Sequence, residues 1–147
     1  MMERPKVYYA IPIRGSKGNA ATIEDMAANC ARAKRNIDAI QVIIPEINWV
    51  SVAPYDRIVQ YLLAYGHVSI EHVLEADFTL GDESQGLLAH IWDVSGGAEA
   101  ELARQLERCK PCLRLDDCPS KIWKCDWALI EDFRDRVVNY HVRRCNP

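Results

Sequence analysis

The sequence has no apolar run approaching the roughly 18 residues that a membrane span needs. It has no internal repeat and no low-complexity stretch, which excludes solenoids and disordered linkers as its organising principle. Its net charge is only −3, and its basic residues are spread out apart from Arg143-Arg144. A nucleic-acid-binding or membrane-surface role, which needs concentrated positive charge, is therefore not expected. The opening residues Glu3 to Lys6 run directly into an apolar segment with no signal-peptide core, so the expected setting is cytoplasmic.

What is present is ordinary globular material. Half of the 147 residues are hydrophobic and about a quarter are charged. A chain of this length buries roughly two thirds of its unfolded surface, enough for a single domain spanning 1–147 with its own core. The six cysteines are numerous. Cys109-Lys110-Pro111-Cys112 has zinc-knuckle spacing, but Cys118 and Cys125 do not repeat it. Free thiols in a reducing compartment are the preferred reading over a metal site, and neither a metal nor a cofactor is expected.

Apolar periodicity sets out an alternation of strands and helices. Val7 to Ile13 is a buried strand stopped by Arg14-Gly15-Ser16. Thr22 to Asp25 is a helix-start signal, followed by Ile23, Met26, Ala27, Cys30, Ala33 and Ile37 at helical spacing. Ile40 to Ile44 reads as a second strand ended by Pro45. Pro54 opens a helix with Ile58, Val59, Leu62 and Leu63 inward and Gly66 at its end. His67 to Val73 alternates like a strand. Gly86 to Trp92 and Cys112 to Leu115 are further strands. A helix carries Ala98, Leu102 and Leu106 on one face, and Trp127 to Val142 forms a last helix. This pattern predicts a Rossmann-like or flavodoxin-like α/β/α domain with a mostly parallel sheet.

Ligands of open α/β sheets bind beyond the carboxyl ends of the strands. Three segments there carry reactive side chains: Arg14-Gly15-Ser16, the stretch with Glu75 and Asp77, and Asp93 to Gly97. Ser95-Gly96-Gly97 at a helix start offers exposed amides and the positive end of the helix dipole, an anion site that also serves as a plain helix cap. Glu101 stands one turn into that helix and leans back toward the ligand edge.

The segments Val7-Tyr8-Tyr9-Ala10-Ile11-Pro12-Ile13-Arg14-Gly15, Tyr55 to Gly66, Ile70-Glu71-His72-Val73, and Asp77 through Ser95 to Glu101-Leu102 together resemble the nucleoside 2-deoxyribosyltransferase-like group. They are most similar to its 2′-deoxynucleoside 5′-phosphate N-hydrolases. The resemblance implies that Glu101 is a nucleophile at the sugar C1′, that Asp77 assists the leaving base, and that Tyr8 orients the nucleophile. It implies a 5′-phosphate held by Ser95 and Gly97 with the Arg14-Gly15 loop, His72 among the substrate-binding residues, a small-molecule nucleotide as the partner, and a homodimer. A transferase to a second base and a non-catalytic nucleotide-binding module are the alternatives. The chain departs from the family at 16–54, longer than the family's loop and expected to be an insertion. It also has Glu99 where the family has Gly, and Cys125-Asp126-Trp127 where the family brings a Ser across the dimer interface.

Overall fold

The computed structural model describes residues 3–51, 61–62, 65–116 and 118–146. Among them a four-stranded sheet forms from β1 (Lys6–Ala10), β2 (Asn48–Val50), β3 (Gly86–Ile91) and β4 (Cys112–Asp116). Its order is β2-β1-β3-β4 and every pairing is parallel. The helices are α1 (Ile23–Ile43), α2 (Ile70–Asp82), α3 (Gly96–Glu107) and α4 (Trp127–Cys145), with short 3-10 turns over Gly15–Ala20 and Ile122–Lys124. The chain leaves β1 toward β2 on one side and continues with β3 on the other. The topological switch, where such sheets bind ligands, therefore lies between β1 and β3.

The alternation of side chains along each strand divides the core into two. Val7 and Tyr9 of β1, Leu88 of β3, and Leu113 and Leu115 of β4 pack with Cys30, Ala33 and Ile40 of α1 and with Ile130, Phe133 and Val137 of α4. Tyr8 and Ala10, with Leu87, Ala89 and Ile91, pack on the opposite face against Ala98 and Leu102 of α3 and Leu80 of α2. The result is the expected three-layer α/β/α domain. No helix among the described residues is long and apolar enough to cross a membrane.

Two elements differ from the sequence expectation. Ile40 to Ile44 is the end of α1 and not a strand. Its β-branched run imitates a strand, but Met26, Cys30, Ala33 and Ile40 continue one buried helical face, with Ile44 buried at its end, while Val42 is exposed. The helix starts as expected, with a full capping box between Thr22 and Asp25. The second strand is the short Asn48–Val50, in which Trp49 is buried. Residues 16–54 thus supply α1 and β2, both integral to the sheet and the core.

The second difference is His67 to Val73. The backbone turns there, with Gly66 at a φ of +71°, and the His67 amide donates to the Leu62 carbonyl at 2.8 Å. Ser69 then caps α2 by accepting from the His72 amide. The alternation is too short to outweigh that cap and the helical spacing of Val73, Asp77 and Leu80. The helix expected from Pro54 lies mostly outside the described residues.

Candidate active site

A cavity of about 270 Å³ opens at the switch point. Tyr8 and Ile11 of the β1 end, the Ile13–Gly15 loop, Met26, Ser51, Asp77, the Val94–Ala98 segment and Glu101 all line it. Tyr8 comes from the strand face that looks toward α3. Glu101, at the second turn of α3, leans back along its helix to meet it. The Tyr8 hydroxyl donates to Glu101 Oε1 at 3.2 Å, a buried contact. Asp77 enters from α2 and hydrogen-bonds Glu101. Both carboxyl groups belong to residues only 6% exposed.

Two carboxyl groups in contact under these conditions hold a proton between them, because neither keeps its charge cheaply away from water. Burial pushes the Asp77 carboxyl up from 3.8 to about 6, and the hydrogen bond with Glu101 opposes part of that rise. The arrangement therefore holds one shared proton close to neutral pH between two buried carboxyl groups, with a phenol hydrogen-bonded to one of them.

The mouth is built around Asp93. Its Oδ1 accepts from the Val94 amide at 2.8 Å and its Oδ2 from the Ser16 amide at 2.9 Å. These amides hold the Asp93 carboxyl below its ordinary range. Gly15 sits at a φ of +65°, where a Cβ would stand 2.3 Å from Asp93 Oδ2, so only glycine lets the β1 loop lie against the β3 loop. Arg14 donates to the Asn19 side chain at 2.7 Å. Ser95 caps α3 by accepting from the Ala98 amide at 3.1 Å, so the capping reading of this residue is what the geometry displays. Gly96 and Gly97 nevertheless bring first-turn backbone to the cavity wall, with the helix dipole behind it.

Seven of the eight residues anticipated for the site line this one cavity: Tyr8, Arg14, Gly15, Asp77, Ser95, Gly97 and Glu101. His72 does not. It is exposed on the first turn of α2, away from the cavity, because that segment is helical and turns its inward face at Val73 and Asp77. Asp77 itself is an interior helix residue and not part of a loop. Met26 and Ser51 were not anticipated. Ser51 directly follows β2, and the strand-end rule would have found it had that strand been placed at 48–50. Glu99 points elsewhere. The Arg114 guanidinium engages its carboxylate and also reaches Asp116, which neutralises Glu99 outside the cavity.

A comparison with family models, with curated proteins and with solved structures finds no match to this chain.

Proposed function

We propose that the protein is an N-glycosidase that hydrolyses the base–sugar bond of 2′-deoxynucleoside 5′-monophosphates. The observation that carries the reading is the buried Tyr8–Glu101–Asp77 constellation at the switch-point cavity. Ionised Glu101 attacks C1′ as the C–N bond breaks, forming a glycosyl ester. The Asp77 proton passes to the departing base. Asp77, now ionised, takes a proton from water as the water opens the ester and frees Glu101. This divides one hard displacement into two easier ones, with the tasks split between two carboxyl groups.

Tyr8 supports the reading by donating to the nucleophile and fixing its rotamer. A phosphate fits the α3 start, where glycine backbone amides and a helix dipole line the wall and the nearby Glu99 is already paired with Arg114. The reading carries with it a small-molecule nucleotide substrate, a cytoplasmic setting and a homodimer.

The experiment is incubation with each deoxynucleoside monophosphate and chromatography for free base. Base release with at least one of them is the expected result. Folded protein that releases no base from any of them would overturn the hydrolase. An added acceptor base that yields a new nucleoside, in preference to the free sugar phosphate, would move the assignment to the transferase.

A further inference from the structure

On the sheet face opposite the candidate active site, Tyr9 points away from Glu101 into a second polar cluster. His90 of β3 is fully buried there. Its Nδ1 lies 2.6 Å from the Tyr9 hydroxyl, and its Nε2 lies 2.8 Å from the Pro119 carbonyl. Cys118 and Cys125 stand on either side of the loop that joins β4 to α4. One ligand atom from each of His90, Cys118 and Cys125 lies within 4.8 Å of the others. Cys118 and Cys125 are both free thiols.

We propose that His90, Cys118 and Cys125 form a metal site for a borderline-soft divalent cation, zinc foremost, which fastens the β4–α4 loop to β3. The spacing suits the ion. Zinc bonds of about 2.3 Å to sulfur and about 2.0–2.1 Å to imidazole nitrogen put S and N roughly 3.5 Å apart on a tetrahedral edge. Cys125 Sγ lies 3.6 Å from His90 Nε2. The donor set of two sulfurs and one imidazole matches zinc better than hard cations, which take oxygen ligands.

Charge also fits. A divalent cation with two thiolates is neutral overall, which suits this apolar interior. Binding releases two thiol protons to solvent. The imidazole proton shifts from Nε2 to Nδ1, where the Tyr9 oxygen accepts it, as the outer partner of a ligating histidine does.

The frame is already set. The Asn36 side chain donates to the Tyr9 oxygen at 2.9 Å and to the Ser120 carbonyl at 2.8 Å, and accepts from the Ile122 amide at 3.0 Å. It thus ties α1 to both the phenol and the cysteine loop. Cys118 is half-buried, which leaves an approach for the ion and a place for a water as the fourth ligand. This assignment departs from the sequence expectation of plain thiols. It does not rest on the glycosidase reading, since it lies across the sheet from Glu101.

Cobalt(II) titration of the reduced, chelator-treated full chain tests it. The expected result is saturation at one ion per chain, with thiolate-to-cobalt charge transfer and tetrahedral d–d bands, abolished by an equivalent of zinc. Cys118→Ser and Cys125→Ser should each lose that signature. Tyr9→Phe should weaken binding by about 10–100-fold. Cys109→Ser and Cys145→Ser should retain it; Cys145 is the exposed thiol that lies 3.8 Å from His141. Circular dichroism of the half-buried Cys118→Ser variant separates ligand loss from unfolding. If that variant is unfolded, cobalt protection of Cys118 from alkylation in the unmutated chain decides. Absence of saturable cobalt binding by the folded chain, or a signature that survives Cys125→Ser, would overturn the site.

Discussion

The Tyr8 hydroxyl reaches Glu101 Oε1 at 3.2 Å across 93 residues of sequence. It does so because Tyr8 and Tyr9 alternate to opposite faces of β1 and only Tyr8 meets α3. A hydrogen bond to a charged group is worth about 1.5–3 kcal/mol. If it steadies the nucleophile, Tyr8→Phe should lower kcat by about 10- to 100-fold. KM should change little, since the phenol meets the carboxylate and not the bound nucleotide. Steady-state kinetics of base release checks this. A fall confined to KM would make Tyr8 a substrate contact instead.

The raised Asp77 carboxyl makes stability depend on pH. Its folded value lies near 6, above its ordinary 3.8, because it is buried. The folded chain therefore keeps a proton that the unfolded chain has already released between about pH 4 and pH 6. Stability falls as pH rises through that window and stays lower above it, by about 2–3 kcal/mol for this group. Asp77→Asn cannot lose a proton there. It should flatten the decline and raise stability at neutral pH. It should also slow base release by about 10²- to 10⁴-fold, through loss of the acid. Urea midpoints across the window test the first part. A decline that persists unchanged in Asp77→Asn would show that another group causes it. In the unmutated chain any base release should slow above about pH 6 as the same proton leaves.

The alternation of elements was readable wherever a segment was long or unbroken. Gly86 to Ile91 is apolar except at His90 and buried on both faces, so the sequence left little choice but a central strand. The errors fell where short patterns compete. Ile40 to Ile44 looks like a strand by composition, and only the register with Met26, Cys30 and Ala33 shows that it completes a helix. β2 has just three residues and one fully inward side chain, Trp49, too little for any period to register. Arg14, Gly15, Ser95 and Gly97 were legible because they sit after a strand and at a glycine-rich helix start, whereas Tyr8, Asp77 and Glu101, within a strand and two helices, were singled out by the family resemblance. His72 was misplaced along with its segment. Cys118 and Cys125 were visible as a cysteine pair, but their meeting with His90 was not, since the three come from β3 and both ends of one irregular loop.

Glu101 and Glu99 provide the strictest test of the candidate site, because the same chemical change at two nearby positions should have opposite consequences. Glu101 faces inward between Tyr8 and Asp77, whereas Glu99, two residues earlier, points outward to Arg114. Glu101→Gln preserves size. Its amide oxygen can accept from Tyr8 and its NH₂ can donate to Asp77, so the fold should hold. An amide cannot form the glycosyl ester, so turnover should fall by several orders of magnitude while nucleotide binding persists. Glu99→Gln removes an exposed ion pair worth about 0–1 kcal/mol and should leave most activity intact. It also leaves the Arg114 charge less neutralised near the start of α3, so binding of the 5′-phosphate should hold or tighten slightly. Single-turnover base release and nucleotide titration on the two variants check both halves. If Glu99→Gln abolishes turnover and Glu101→Gln spares it, the reacting centre lies on the outer face of α3, and the roles given to Tyr8 and Asp77 fall with that result.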